Sequence, residues 1–237
     1  MNFGIIAAGE GSRLAAEGVE YPKPLVPICG VPMIGRLIRI FERCGAKQIS
    51  IVVNEQMTEV AEYLRGFECA PGVKLDITVK TTPSSMHSMH ELASRLRGKG
   101  RFIVTTVDTI FREEDFAAYA ADFEKAPAEV DGMMAVTGYV DDEKPLWVGT
   151  DADMRITAFR DSRDPEDRYI SGGIYGLDSK AFETLDHCVS QGVSRMRNFQ
   201  RALVADGLNL RAYNLGKVLD VDHASDIEKA ELFLKAE

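Results

Sequence analysis

The chain has 237 residues, with 28 Lys and Arg against 37 Asp and Glu, a net charge of −9, and 45% hydrophobic residues. That balance excludes wholesale disorder, and no run approaches the ~18 consecutive apolar residues a membrane span needs. The acidic excess works against non-specific binding to nucleic acid or anionic lipid, which needs clustered Lys and Arg.

Phe3 to Ala8 reads as a buried strand leading into a glycine turn. Its opening, Met1 to Glu10, has no basic region and meets Glu10 too early for a signal peptide, so a cytoplasmic chain is expected. Met33 to Cys44 has Ile34, Leu37, Ile38 and Phe41 at helical spacing. Gln48 to Val53 is a second strand, Met57 to Phe67 a helix, and Val73 to Lys80 an alternating, half-exposed strand. Met86 to Leu96 is helical and Phe102 to Val107 is another buried strand. Beyond it, Gly132 to Tyr139, Leu146 to Thr150, Arg155 to Phe159 and Tyr169 to Leu177 read as strands separated by turn-forming clusters. Helices are expected at Ser179 to Ser190 and Val193 to Ala205, a short strand at Asn209 to Asn214, and a last helix from Ala224 to Ala236. The pattern predicts a three-layer α/β/α sandwich with a mostly parallel, Rossmann-like sheet and antiparallel additions in the second half. With no linker or repeat, residues 1–237 are expected to form a single domain. Cys29, Cys44, Cys69 and Cys188 include no Cys-x-x-Cys pair and are expected to be buried, inert thiols.

The most informative stretch is Ala8-Gly9-Glu10-Gly11-Ser12-Arg13-Leu14, followed by Tyr21-Pro22-Lys23-Pro24-Leu25. Two close glycines after a strand let the backbone turn sharply and offer N–H groups to an anion. Arg13 adds a planar fork for phosphate oxygens, and Lys23 a second charge on a proline-stiffened segment. The dinucleotide fingerprint fails because Leu14 stands where its third glycine belongs, and the P-loop fails because Gly11-Ser12-Arg13 lacks Gly-Lys-[Ser/Thr]. Together the two pieces resemble the signature of the nucleotidylyltransferases that activate sugar-1-phosphates and related phosphates. The likeness continues through Val26-Pro27-Ile28-Cys29-Gly30-Val31-Pro32-Met33-Ile34. The resemblance implies a nucleotide-diphospho-sugar transferase-like fold. It also implies a loop wrapping the triphosphate, with Arg13 on the leaving pyrophosphate and Lys23 near the α-phosphate.

Transfer between two anions needs charge neutralisation, normally by Mg²⁺ on hard oxygen ligands. Asp108 follows the strand Phe102 to Val107, at the sheet edge where ligands sit in open α/β folds. The family's metal-binding Asp follows the same strand. Leu219-Asp220-Val221-Asp222-His223 matches the family's closing segment, with Asp220 at its metal-ligand position. Asp222 is read either as a further ligand or as the cap of the last helix. Ser84 and Ser85, at a helix start where many relatives carry Gly-Thr, are expected beside the nucleotide. Gly172, Gly173 and Tyr175 resemble the family's Gly-Ile-Tyr strand and are expected at the acceptor, with a β-bulge as the structural alternative. Arg195 and Arg197 are candidates for an acceptor phosphate, or simply a solvated helix face.

The expected activity is Mg²⁺-dependent nucleotidyl transfer from a nucleoside triphosphate to a sugar-1-phosphate or related phosphate ester, with release of pyrophosphate. Lys23, Arg13 and Asp108 are the catalytic candidates, and Ala8, Gly9, Gly11, Ser12, Ser84 and Ser85 join Arg13 and Lys23 at the nucleotide. Asp108, Asp220 and Asp222 are the metal candidates. Cytidylyl transfer to a phospho-alcohol such as phosphocholine is the nearest alternative, and a glycosyltransferase using Asp220-Val221-Asp222 is a more distant one. No nucleic-acid or membrane partner is expected, and a homo-oligomer is left open.

Overall fold

The computed structural model describes residues 1–236. Its first half alternates as expected: β1 (Asn2–Ala7), α1 (Ser12–Ala16), the short hairpin strands β2 (Pro27–Ile28) and β3 (Val31–Pro32), α2 (Met33–Arg43), β4 (Gln48–Val53), α3 (Thr58–Arg65), β5 (Lys74–Val79), α4 (Ser85–Leu96) and β6 (Phe102–Thr106). The second half runs β7 (Thr109–Ile110), α5 (Glu113–Lys125), β8 (Gly132–Thr137), β9 (Trp147–Thr150), β10 (Ile156–Arg160), β11 (Tyr169–Leu177), α6 (Ala181–Ser190), α7 (Met196–Ala205), β12 (Leu210–Asn214), β13 (Leu219–Asp220) and α8 (Ala224–Lys235).

A nine-stranded sheet follows the path β10-β9-β11-β6-β1-β4-β5, with β8 joining β11 to β12. The β6-β1-β4-β5 block is parallel, and β12 runs parallel to β8. The antiparallel additions expected for the second half are β11, β9 and β10. Residue alternation along β1 splits the core in two. Phe3, Ile5 and Ala7 pack under α2, α3, α5 and α8, whereas Ile6 and Ala8 face α4, α6 and α7. Each face of the sheet thus buries its own helical layer. β1 is flanked by β6 on one side and β4 on the other, so the chain order reverses at β1, and crevices open at the carboxyl ends of such strands.

Helix α5 lies outside the elements expected from sequence. Its stripe of Phe116, Tyr119, Ala120 and Phe123, all buried, is the i, i+3, i+4, i+7 pattern of a core-facing helix. Phe116 is fully buried and its ring centroid lies 5.3 Å from Phe41, 4.9 Å from Phe111 and 5.9 Å from Tyr119. Phe116→Ala is expected to cost about 3–5 kcal/mol, because the cavity cannot collapse among rings braced by three elements. Urea unfolding checks this: the midpoint should fall with an unchanged slope.

The thiols depart from expectation in one place. Cys188 is buried and Cys44 and Cys69 are half-buried, but Cys29 is exposed. It occupies the tight turn between β2 and β3 with φ of 51°, and a two-residue hairpin turn has no room to fold its side chain inward.

Candidate active site

β1 delivers the chain to Ala8, which is buried, and the loop Gly9-Glu10-Gly11 then turns into α1. Gly11 has φ of +63°, and a Cβ there would lie 2.8 Å from Lys23 Cβ. Glycine is therefore required twice, for the left-handed backbone and for the close approach of Lys23. Lys23 opens a single helical turn between Pro22 and Pro24. That turn aims its ammonium inward, leaving the side chain only 11% exposed.

Lys23 Nζ lies 2.6 Å from Asp108 Oδ2 and 2.6 Å from Asp222 Oδ1. Arg13 Nη1 donates to the other oxygen of Asp222 at 3.0 Å. Two cations from the first 23 residues are thus held by carboxylates about 100 and 200 positions later, at 108 and 222. Two short connections achieve this: β13 pairs antiparallel with β7, setting Asp220 opposite Thr109, and Val221 N–H donates to the Asp108 carbonyl at 3.1 Å. Asp222 does not cap α8. The cap position is His223, whose N–H donates to Asp226 Oδ2 at 2.8 Å, while the Ala224 N–H donates to Glu17 Oε2 at 2.6 Å. With those donors satisfied elsewhere, the Asp222 carboxylate is committed to the cations.

Burial opposes the charge of Lys23, but Asp108 and Asp222 more than offset it, so its pKa is raised. Burial likewise opposes the Asp108 carboxylate, and Lys23 holds its pKa below the ordinary value. Asp220 behaves oppositely. Water reaches it, yet it stands deep in the cleft, where lost hydration and the neighbouring Asp108 and Asp222 charges push it up to about 7. Tyr175 is buried, and burial with the Asp220 and Asp108 charges raises its pKa.

The raised Asp220 value has a stability consequence. The folded chain holds that proton more tightly than the unfolded chain, whose carboxyl titrates near 3.8. Stability therefore falls as pH rises from the unfolded value to about 7 and stays lowered above it. Asp220→Asn removes the charge that crowds its neighbours. In EDTA the variant is expected to melt higher than the parent at about pH 8, by a margin that solvent screening of this exposed carboxylate keeps small, with the gap closing near pH 4. Melting curves by circular dichroism across that range check the sign.

Two cavities flank this charged cluster, one lined by Lys23 and the other by its partner Asp222. One, of about 500 Å³, is lined by Ala8, Gly9, Gly11, Ser12, Ser84 and Ser85, with Lys23 and Asp108 at its end. The other, of about 220 Å³, is lined by Arg13, Gly172, Asp220 and Asp222, with the acidic Asp141-Asp142-Glu143 segment and Tyr139 opposite. Gly173 and Tyr175 do not line it. The register of β11 against β8 shifts between Ser171 and Tyr175, so the bulge alternative is realised at Gly172 and Gly173. Arg197 takes no part, because Nη1 is paired with Asp161 Oδ1 at 2.5 Å and Nη2 donates to the Lys144 carbonyl. Arg195 meets Ser84 only through its backbone N–H, at 3.1 Å from Oγ.

Sequence reasoning missed Asn54, which is fully buried at the end of β4. Its Nδ2 donates to the Ala8 carbonyl at 3.2 Å and its Oδ1 accepts from Thr81 Oγ1 at 3.0 Å, tying the glycine loop to the far wall of the larger cavity. A lone polar residue directly after the apolar run Ile49 to Val53 is the signal that marks it. It also missed Thr106 and Thr109, whose hydroxyls lead to Asp220.

Residues 4–168 match the family model described as the MobA-like NTP transferase domain. Mannose-1-phosphate guanyltransferase 2 of Candida glabrata is 31% identical over 108 residues, covering 45% of this chain and 30% of its own length. CMP-5'-(3-aminopropyl)phosphonate synthase of Streptomyces rubellomurinus is 27% identical over 157 residues, covering 59% of this chain and 24% of its own. The chain thus spans about a third or less of the length of these curated relatives. The solved inositol-1-phosphate CTP transferase from T. maritima superposes with a TM-score of 0.75 at 16% identity, over 99% of this chain and 98% of that one, which shows a shared fold.

Proposed function

Because this chain belongs to the family of the MobA-like NTP transferase domain, we propose that it is a Mg²⁺-dependent nucleotidylyltransferase. It transfers a nucleoside monophosphate from a triphosphate to a small phosphate ester such as a sugar-1-phosphate and releases pyrophosphate. The observation that carries this reading is the placing of two cavities on either side of the Lys23, Asp108 and Asp222 ion-pair cluster. In-line displacement at an α-phosphorus needs donor and acceptor on opposite sides of one cationic point.

The glycine-loop cavity takes the triphosphate, with Ser84 and Ser85 along its wall. Lys23 stabilises the reacting phosphate and the loop amides receive the pyrophosphate, with Arg13 joining them on leaving Asp222 and the smaller cavity, where its side chain rests. The attacking oxygen is already anionic, so no general base is required, and positioning with charge stabilisation supplies the rate. Asp108 and Asp220 would hold Mg²⁺, with Asp222 beside them. The donor set fits, since these are hard oxygen ligands crowded enough to push Asp220 up to about 7. Among the described residues, no three His, Cys, Asp or Glu side chains converge as a ready-made centre. Mg²⁺ commonly takes one or two carboxylates, with phosphate oxygens and water completing its shell. When bound, it supplies Lewis-acid neutralisation of the phosphate charge.

A specific observation favours the phospho-alcohol alternative for the acceptor. The smaller cavity faces Asp141, Asp142, Glu143 and Asp226, of which Lys229 pairs with Asp141 and Asp226, and the Tyr139 ring is already covered by Lys217. The acidic surplus that is left, at Asp142 and Glu143, suits an acceptor bearing an ammonium group better than a neutral sugar ring. The similarity to an aminopropylphosphonate enzyme supports that direction. The glycosyltransferase alternative leaves the Gly9–Gly11 loop, Arg13 and Lys23 without a role.

The test is a panel of the four common nucleoside triphosphates against mannose-1-phosphate, inositol-1-phosphate, phosphocholine and phosphoethanolamine, read as pyrophosphate release with Mg²⁺. Turnover with at least one pair is expected. Release of nucleoside diphosphate from a sugar nucleotide, with no pyrophosphate from any pair, would overturn the reading. Sugar phosphates outperforming both amino-alcohol phosphates would overturn the cationic acceptor.

A further inference from the structure

A pair of carboxylates can share one cation only if something fixes their spacing, because alone they repel each other. Asp108 lies just past the end of β6 and Asp220 on β13, more than 100 residues away in sequence, at positions 108 and 220. Two hydroxyls stand beside Asp220: Thr109 Oγ1 donates to Asp220 Oδ1 at 3.2 Å, and with that proton committed Thr106 Oγ1 donates to Thr109 Oγ1 at 2.7 Å. Thr109 is fully buried, so no water competes for its hydroxyl. The backbone brings Asp108 alongside, through the Thr109–Asp220 register and the Val221 N–H on the Asp108 carbonyl.

The room for this bridge comes from a third element. At Gly173, φ is +70°, and a Cβ there would lie 2.6 Å from Thr109 Oγ1 and 3.1 Å from Thr106 Oγ1. The bulge in β11 therefore brings bare backbone against the two hydroxyls, leaving them the room a Cβ would take. This gives Gly173 a different duty from the acceptor contact expected of it.

We propose that Thr106 and Thr109, admitted by Gly173, are positioning residues: a hydroxyl bridge from Thr106 through Thr109 to Asp220 that orients the Asp220 carboxylate for a divalent cation shared with Asp108. The inference rests on the metal reading above. The hydroxyls do not reach the cation. They orient carboxylate oxygens, and outer-shell partners of this kind commonly govern metal affinity by 10- to 100-fold.

The experiment is titration of the purified full chain with Mn²⁺ alone, following free Mn²⁺ by electron paramagnetic resonance, with thermal melting recorded on the same samples. Thr109→Val keeps the shape and removes the hydroxyl, and it is expected to weaken Mn²⁺ binding about 10-fold or more. Thr109→Ser should restore it, and Gly173→Ala should weaken it in the same direction. In turnover assays Thr109→Val should raise the Mg²⁺ concentration for half-activation more than it lowers kcat at saturating Mg²⁺. Parental Mn²⁺ affinity in folded Thr109→Val, or failure of folded Thr109→Ser to recover, would overturn the bridge. If Thr109→Val does not fold, Thr106→Val interrupts the same bridge from the less buried end and is judged by the same criterion. A parent chain that binds no Mn²⁺ overturns the metal reading itself, a result distinct from equal binding by parent and variant.

Discussion

Lys23→Ala is expected to reduce kcat for pyrophosphate release by about 10²–10³-fold, or ~2.7–4 kcal/mol of transition-state stabilisation. The size follows from the setting. The ammonium is 2.6 Å from each of two carboxylates and mostly shielded from water, so its field is weakly screened. Lys23→Arg is not expected to rescue, because a planar guanidinium does not fit a space shaped for a compact charge against Gly11. The alanine variant should also lose stability. A raised lysine pKa contributes stability that is fully present below the unfolded value of 10.5 and is lost only as pH rises through the folded value. At neutral pH the deficit is complete, and three crowded carboxylates are left with Arg13 alone. Steady-state kinetics and melting at neutral pH measure both effects. Near-parental turnover by the folded variant would remove Lys23 from the proposed role.

Asp108→Asn should be comparably severe in rate, about 10²–10³-fold, yet different in kind. The amide keeps the shape of the β6 end but leaves only Asp220 and Asp222 as charged candidates for the cation, so half-activation by Mg²⁺ should shift upward as kcat falls. Asp108 has a lowered pKa, and the stability it contributes is present above the unfolded value of 3.8 and lost as pH falls through the folded one. The asparagine variant should therefore show a shallower loss of stability below about pH 4 than the parent. Its Lys23 keeps Asp222 as a partner, which preserves the fold for the measurement. Parental Mg²⁺ dependence and rate in Asp108→Asn would place the metal elsewhere.

The negative charge of the chain looks at first unsuited to two anionic substrates. In the structure, part of the surplus is local. Asp108 and Asp222 pair with the cations that would meet phosphate, and Asp141, Asp142 and Glu143 line the neighbouring cavity with Asp220. On the proposed reading, a divalent cation and an ammonium-bearing acceptor give both groups of carboxylates a purpose.

Much of the frame was legible in the sequence, because the relevant signals are short. Alternation along Phe3 to Ala8, the helical spacing in Met33 to Cys44, and the glycine pair before Arg13 are set by neighbours a few residues apart. A carboxylate directly after an apolar strand is local too, and so Asp108 was found. The stripe in α5 was equally local, and Phe116, Tyr119 and Phe123 would have disclosed it. What needed tertiary structure was every pairing across the chain. That Asp222 binds Lys23 and Arg13 rather than capping α8 depends on Asp226 and Glu17 having already satisfied the helix donors. That Thr109 faces Asp220 depends on a two-residue ladder between β7 and β13 too short to leave a pattern. That Gly173 admits two hydroxyls depends on where β11 bulges against β8. The sequence by itself determined which residues can carry charge and where the backbone can turn, since these are properties of residues and their near neighbours. Only the packed sheet decided which charges meet, because contacts between distant segments are selected by the burial and hydrogen bonding of the whole fold.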